Sequence, residues 1–163
     1  ALALGDALAI ALMQAKGFSR DEFVRSHPGG ALGRKLLIHV RDVMRSGNDA
    51  PRVADTAMLS DAIPEMSRGR MGLTAVLNGD GRVIGIFTDG DLRRTLQKGA
   101  ALNTTPISKV MTHGPRTISP DKLAAEAVQI MEEHKVNQLL VVDAEQQLVG
   151  ALNMHDLFRA KVI

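Results

Sequence analysis

The chain has 163 residues, of which 45% are hydrophobic and 23% are charged, with a formal net charge of +2 at pH 7, as in a compact globular protein. Aromatic residues make up only 2% and basic residues are scattered, so the composition argues against nucleic acid as a partner. The absence of cysteine excludes disulfides and thiolate metal sites and predicts a reducing, cytoplasmic location, and no apolar run approaches the ~18 residues of a membrane span.

The first stretch predicts a helix over residues 1–16, because its leucines and alanines recur at helical spacing and Gly17 is placed to end it. The S-x-x-E pattern of Ser19–Glu22 predicts the start of a second, short helix, which must end before Pro28. The sequence begins inside a helical pattern and without a start methionine. We therefore interpret it as part of a longer protein.

His27 lies in the glycine-rich segment that follows, Ser26–Gly33. One interpretation is a histidine at the end of a helix that bonds a nearby carbonyl. The other is a general acid or base, since an imidazole titrates in the working pH range. The local sequence leaves both interpretations open.

Residues 40–100 and 101–163 share one order of predicted elements, so the chain contains an internal duplication. Each repeat opens with a segment ending in Val-Met and continues as strand, amphipathic helix, strand, strand and helix. The predicted strands are 51–53, 73–77, 82–87, 116–118, 138–142 and 147–152, and the predicted helices are 58–68, 89–98, about 120–133 and 154–160. Pro64 lies inside the first of these helices, where we expect a kink or a shortened helix.

An apolar strand ends in Thr or Asn in each repeat, and an Asp follows three residues later. These residues are Thr88 and Asp91 in the first repeat and Asn153 and Asp156 in the second. As local structure the pattern predicts a capped helix with a carboxylate near the positive end of its dipole. Such a carboxylate can also take a ribose diol, while adjacent N–H groups face a phosphate.

The segment around His27, together with Gly5–Ala9, resembles the end of the sugar isomerase (SIS) domain of arabinose-5-phosphate isomerases. In that family the tail leads into two cystathionine-β-synthase (CBS) domains, and the rest of this chain has that form. The resemblance implies an α/β (α+β) fold with a pseudo-twofold tandem CBS pair, or Bateman module, preceded by a helical tail. We therefore expect an isomerase tail over residues 1–39, CBS domain 1 over residues 40–100 and CBS domain 2 over residues 101–163.

The same resemblance implies a parent enzyme that interconverts D-ribulose 5-phosphate and D-arabinose 5-phosphate for Kdo and lipopolysaccharide synthesis, with no required cofactor or metal. It places His27 in the active site of that enzyme. The other catalytic residues of such a domain would lie upstream of Ala1. We therefore expect this chain alone to have no isomerase activity.

CBS pairs bind nucleotides through a G-x-x-[TS]-x-x-D motif, with the Asp on the ribose hydroxyls and the Thr or Ser near the phosphate. The resemblance therefore implies ligand-binding roles for Thr88, Asp91, Asn153 and Asp156, although Asn153 departs from the motif. It also implies that the loop after the repeat opening lines the pocket. The residues of this loop that we expect to contribute are Thr112 and His113.

Other residues near this motif are candidates for contacts with the base and the phosphate. We expect the base to lie between the two sheets against apolar residues such as Val110, Met111, Leu139 and Val141. Arg93, Arg94 and His155 are either phosphate contacts or solvated surface side chains.

Two functions are consistent with this interpretation. The first is a regulatory sensor whose ligand is a nucleotide, either the cytidine-linked sugar CMP-Kdo or an adenine nucleotide. The alternative is a scaffold that binds no ligand and holds isomerase subunits together as a dimer or tetramer.

Overall fold

The computed structural model of the chain describes residues 37–163 together with Gly5, Leu8, Ala11 and Leu12, and these four residues are helical. His27 and most of the predicted tail lie outside the described residues. The fold is therefore described from residue 37 onward.

Both repeats contain the predicted elements. In the first repeat α1 is Val40–Val43, β1 Arg45–Ser46, β2 Arg52–Ala54, α2 Leu59–Gly69, β3 Leu73–Leu77, β4 Val83–Thr88 and α3 Asp89–Gln97. In the second repeat β5 is Thr112–His113, β6 Thr117–Ile118, α4 Ala124–His134, β7 Gln138–Val142, β8 Leu148–Asn153 and α5 Met154–Arg159. Short 3-10 turns at Gly47–Asp49 and Ile107–Lys109 complete the described elements.

The α4 helix begins later than predicted, at Ala124 rather than near residue 120. Ser119 starts a turn instead, in which the Lys122 N–H donates to the Ser119 carbonyl at 3.2 Å. The helix is then capped by Glu126, whose carboxylate accepts from the Leu123 N–H at 3.1 Å. The acidic residue three positions after the cap therefore marks the start of this helix better than the proline does.

The helix that contains Pro64 is not shortened. α2 runs for 11 residues, the same length as α4. Pro64 is exposed, whereas Leu59, Ala62 and Met66 are buried. The missing proline N–H removes one backbone hydrogen bond, and burial of the apolar face offsets this loss.

The two four-stranded sheets each contain one strand from the other repeat. Their strand orders are β2-β3-β4-β5 and β1-β8-β7-β6. The exchanged strands pair antiparallel, with Gly85 opposite His113, Ile86 opposite Thr112, Arg45 opposite Ala151 and Ser46 opposite Gly150. The opening segment of each repeat therefore lies against the last strand of the other repeat.

A buried cluster between the sheets joins the two repeats. It includes Ala75 and Ile86 from one sheet and Leu140 and Ala151 from the other. Two further clusters are present, one for each sheet, and each lies between its sheet and the helices packed on that sheet. The chain thus has a layered core whose middle layer belongs to both repeats.

The predicted position of the base against Leu139 and Val141 is wrong. Both side chains are fully buried in the cluster between β7 and α4. Val110 and Met111 likewise belong to the helix-side cluster of the first repeat. Side chains alternate along a strand, and on β7 it is Leu140 that faces the other sheet.

Candidate functional site

The start of α3 holds the first predicted pair of site residues in a capping box. The Thr88 N–H donates to Asp91 Oδ2 at 2.9 Å, and the Thr88 hydroxyl donates to the same oxygen at 2.7 Å. In return the Asp91 N–H donates to Thr88 Oγ1 at 3.4 Å. The predicted helix cap is therefore confirmed. It fixes one carboxylate oxygen of Asp91 and leaves Oδ1 for other partners.

Asp91 Oδ1 accepts hydrogen bonds from two donors that can move away. Arg94 Nη2 lies 2.6 Å from this oxygen, and the Thr112 hydroxyl, on the exchanged strand β5, lies 3.2 Å from it. The Arg94 side chain is 64% exposed, and a hydroxyl turns freely about its bond. Both donors can therefore yield to a ligand hydroxyl without unfolding any element.

A cavity of about 670 Å³ lies beside Asp91 and is lined by both repeats. Its lining residues are Ile86, Thr88, Asp89, Gly90, Asp91, Arg93, Arg94, Thr112, Gly114, Pro115, Arg116, Lys135, Val136, Asn137 and Gln138. A volume of this size is within the range of ligand pockets, about 300 to 1,000 Å³.

The charge of the lining favours an anionic ligand. Four lining residues are basic and two are acidic: Arg93, Arg94, Arg116 and Lys135 against Asp89 and Asp91. Arginine and lysine donors bind phosphate oxygens through charge-assisted hydrogen bonds. The cavity thus combines a carboxylate suited to a ribose diol with several donors suited to a phosphate.

Thr112 and His113 point to opposite faces of β5. Thr112 lines the cavity and bonds Asp91, whereas His113, the next residue on β5, is exposed and is not among the lining residues. Neighbouring residues on a strand point to opposite faces. Of the basic candidates named from sequence, Arg93 and Arg94 line the cavity, and His155 is exposed on α5 in the second repeat.

Several lining residues were not predicted from the sequence, above all Arg116 and Lys135. Lys135 ends α4 with a left-handed backbone, φ 52°, and Arg70 ends α2 in the same way, φ 49°. A basic residue at the same place in both repeats was a signal that the sequence contained. Arg116 carried no comparable signal, because its neighbourhood in the first repeat is two residues longer.

The start of α5 repeats the capping box of α3. The Asp156 N–H donates to Asn153 Oδ1 at 2.9 Å, and the Asn153 N–H donates to Asp156 Oδ2 at 3.2 Å. The Asp156 side chain has no exposed surface. Asn153 therefore caps α5 with two of the three hydrogen bonds that Thr88 forms with Asp91, which confirms the helix-cap prediction for this repeat as well.

Asp156 is paired with Arg45, a residue that the sequence analysis did not single out. Arg45 Nε lies 3.1 and 3.3 Å from the two carboxylate oxygens, and Nη2 lies 3.0 Å from Oδ1. The third nitrogen, Nη1, donates to the Gly69 carbonyl at 3.0 Å. Arg159, three residues after Asp156, stays 3.7 Å from the carboxylate. The two copies of the predicted site therefore have different partners.

Two further functional classes have no counterpart in the described part of the chain. Among residues 37–163 and the four helical residues before them, no helix has the length and hydropathy of a membrane span. The same residues contain no cluster of three or more His, Asp or Glu side chains that could hold a metal ion.

Comparison with known proteins agrees with the duplication. The CBS domain family model matches residues 40–98 and 107–163. A solved structure, a CBS domain protein from Pyrobaculum aerophilum complexed with AMP, shares the fold with a TM-score of 0.67 at 22% identity, covering 74% of this chain and 90% of that one.

The curated relatives are longer proteins. The chain is 52% identical over 99% of its length to an arabinose 5-phosphate isomerase KdsD from Pseudomonas aeruginosa, and 47% identical to one from Yersinia pestis over the same share. It spans about half the length of these relatives, 50% and 49%. They confirm the resemblance to isomerases of this kind, and the family match confirms the α/β fold with a duplicated unit. The chain therefore belongs to the CBS domain family, and its described part is a tandem CBS pair.

Proposed function

We propose that this chain is the nucleotide-sensing part of an arabinose 5-phosphate isomerase and that it binds the nucleotide in the cavity beside Asp91. The isomerase assignment is supported by curated relatives of that name at 52% and 47% identity. In this proposal residues 1–39 are the end of the catalytic SIS domain and His27 acts in that domain on the sugar phosphate. A cytoplasmic location and assembly as a dimer or tetramer belong to the same proposal.

The observation that carries the binding proposal is the cavity itself, which combines a fixed carboxylate with a basic lining. A ribose diol would replace Arg94 and the Thr112 hydroxyl at Asp91 Oδ1. The released Arg94 would then join Arg93, Arg116 or Lys135 around the phosphate. The AMP complex of the Pyrobaculum aerophilum protein supports a nucleotide as the class of ligand.

Such a ligand would act as a regulator because it touches both repeats. Thr88 and Asp91 belong to the first repeat, whereas Thr112, Arg116 and Lys135 belong to the second. A ligand held by both favours the arrangement of the repeats that it fits best. The sensor would change the isomerase only if that arrangement also differs in affinity for the catalytic domain.

The test is calorimetric titration of the chain with AMP, CMP and CMP-Kdo at one salt concentration. We expect binding of at least one of them, and Asp91→Asn should weaken it about 10- to 100-fold, the cost of a hydrogen bond to a charged group. Asp80→Asn, at an exposed position in the β3–β4 turn, is the matched control and should bind normally. Absence of heat with all three ligands would overturn the sensor and support the scaffold that holds isomerase subunits together.

A further inference from the structure

Arg45 and Thr112 occupy equivalent positions in the two exchanged strands. Thr112 pairs with Ile86 of β4, and Arg45 pairs with Ala151 of β8. Ile86 and Ala151 are themselves equivalent, since each lies two residues before its helix cap. We call the region beside Asp156, which is equivalent to the cavity beside Asp91, the second cleft. The two regions differ at the residue that contacts the aspartate, which is Thr112 in the first and Arg45 in the second.

The guanidinium of Arg45 is held much more firmly than the donors at Asp91. It forms three contacts of 3.0 to 3.3 Å with Asp156 and one of 3.0 Å with the Gly69 carbonyl at the end of α2. The Arg45 side chain is 24% exposed, compared with 64% for Arg94. Its planar fork matches the carboxylate, so moving the guanidinium away from Asp156 breaks all four contacts together.

The residues around Asp156 also lack two of the four cations that surround Asp91, and only Arg70 and Arg159 remain at the equivalent positions. Pro51 stands where Arg116 stands in the second repeat, each just before the parallel strand pair, and Phe158 stands where Arg93 does. The Pro51 ring fills space at Gly69, where an added Cβ would lie 2.0 Å from the Pro51 Cγ atom. A phosphate would therefore find fewer donors there even if the cleft were open.

We propose that Arg45 is a built-in occupant of the second cleft, so that the pair takes one nucleotide per chain, at Asp91, and none at Asp156. The guanidinium supplies to Asp156 the hydrogen bonds that a ribose diol supplies to the aspartate of an open site. This inference rests on the proposed function for the identity of the ligand. The duplication therefore yields one sensing site and one structural ion pair.

The test replaces Arg45 by threonine, the residue that occupies the equivalent position, Thr112, in the cavity beside Asp91. Calorimetric titration with AMP and with CMP, up to millimolar concentration, is carried out on the unaltered chain, Arg45→Thr, and Arg45→Thr combined with Asp91→Asn. We expect one site per chain in the unaltered protein and two in Arg45→Thr. In the combined variant the Asp91 site should be weakened about 10- to 100-fold, while the new site keeps its affinity. The new site should be about 10-fold weaker than the Asp91 site, the loss of one charge-assisted contact.

Matched controls separate an opened cleft from a general loss of packing. Arg41→Thr removes a nearby arginine whose ion pair with Asp121 is exposed, and it should leave one site. Adding Asp156→Asn to the combined variant should weaken the new binding by the same factor of about 10- to 100-fold, the cost of a hydrogen bond to a charged group. Two sites in the unaltered chain, or a folded Arg45→Thr chain that gains none, would overturn the proposal.

Amide NMR of the unaltered chain keeps the test valid if Arg45→Thr does not fold. Saturation with AMP should shift the amide signals of Thr88 and Asp91 and leave those of Asn153 and Asp156 unchanged. Equal shifts at the two pairs would contradict the proposal that Arg45 occupies the second cleft. Failure of the proposed function has a different result, which is no binding to the unaltered chain. Binding that then appears only in Arg45→Thr would still support the role of Arg45.

Discussion

Met111 occupies the space of the missing side chain of Gly85, because a Cβ built on Gly85 would lie 2.3 Å from the Met111 sulfur. Met44 has the same relationship with Gly150, at 2.7 Å. The methionine that ends each repeat opening therefore packs on the glycine of the other repeat's G-x-x-[TN]-x-x-D segment. This contact explains why the segment starts with glycine, and it joins strand exchange to the position of the aspartate that ends the segment.

Gly150→Ala should lower the free energy of unfolding by about 1–3 kcal/mol, the usual cost of overpacking. A new Cβ there would meet the Met44 sulfur and also the Arg45 carbonyl oxygen, at 2.8 Å, which is backbone and cannot swing aside. Urea unfolding measures the change, and Gly79→Ala, with open space around it, serves as the control. Equal stability of the two variants would contradict the packing role.

Arg45→Ala should cost about 3–5 kcal/mol, because it leaves the buried carboxylate of Asp156 without its main partner. The exposed pair Arg41–Asp121, at 2.7 Å, provides the comparison, and Arg41→Ala should cost at most about 1 kcal/mol. Denaturant unfolding of both variants, of Asp156→Asn and of Arg45→Ala combined with Asp156→Asn gives the coupling energy between Arg45 and Asp156. If Arg45→Ala cost as little as Arg41→Ala, the result would contradict a buried ion pair between Arg45 and Asp156.

The Glu65 carboxylate predicts a pH dependence of stability. Its hydrogen bond from Arg68 is the main cause that lowers the pKa of Glu65 below 4.5, and the Arg52 N–H adds to this effect at 3.2 Å. A lowered folded-state pKa stabilises the fold above the unfolded value of 4.5, and that contribution is lost as the pH falls through the folded pKa.

Glu65→Gln should therefore be less stable than the unaltered chain at neutral pH, and the difference should shrink steadily as the pH falls below 4.5. Thermal unfolding of both proteins from neutral pH to below pH 4.5 measures this difference in stability. Glu133→Gln, at an exposed position on α4, provides the control. A difference that stays constant with pH would mean that the Glu65 charge does not contribute.

Leu140→Ala should cost about 2–5 kcal/mol, since Leu140 is fully buried in the cluster shared by both sheets. Both repeats should still unfold in one transition, because each sheet contains a strand of the other repeat. Calorimetry or urea unfolding followed by two probes tests this. Leu96→Ala, at a position that is 47% exposed, should change little. Separate transitions for the two halves would contradict the shared core.

Much of the fold could be predicted because it depends on local patterns. The predicted limits of β3 and β7 match the structure, and the other predicted strands are displaced by one residue at most. The two capped helix starts were also predictable, since a Thr or Asn followed by Asp forms its hydrogen bonds within four residues. The helix that contains Pro64 is not shortened, and α4 begins four residues after Pro120, because a proline indicates a backbone constraint and not how an apolar face packs.

The amino-acid sequence alone determined the duplication, the alternation of strands and helices, and the presence of an aspartate at the start of both closing helices. Only the tertiary structure decided what those aspartates meet from the other repeat, which is the Thr112 hydroxyl at Asp91 and the Arg45 guanidinium at Asp156. The physical reason is distance along the chain, since Arg45 and Asp156 are 111 residues apart and meet only because the repeats exchange strands. No local propensity encodes such a contact, although in our proposal it decides which of two similar motifs remains open to a ligand.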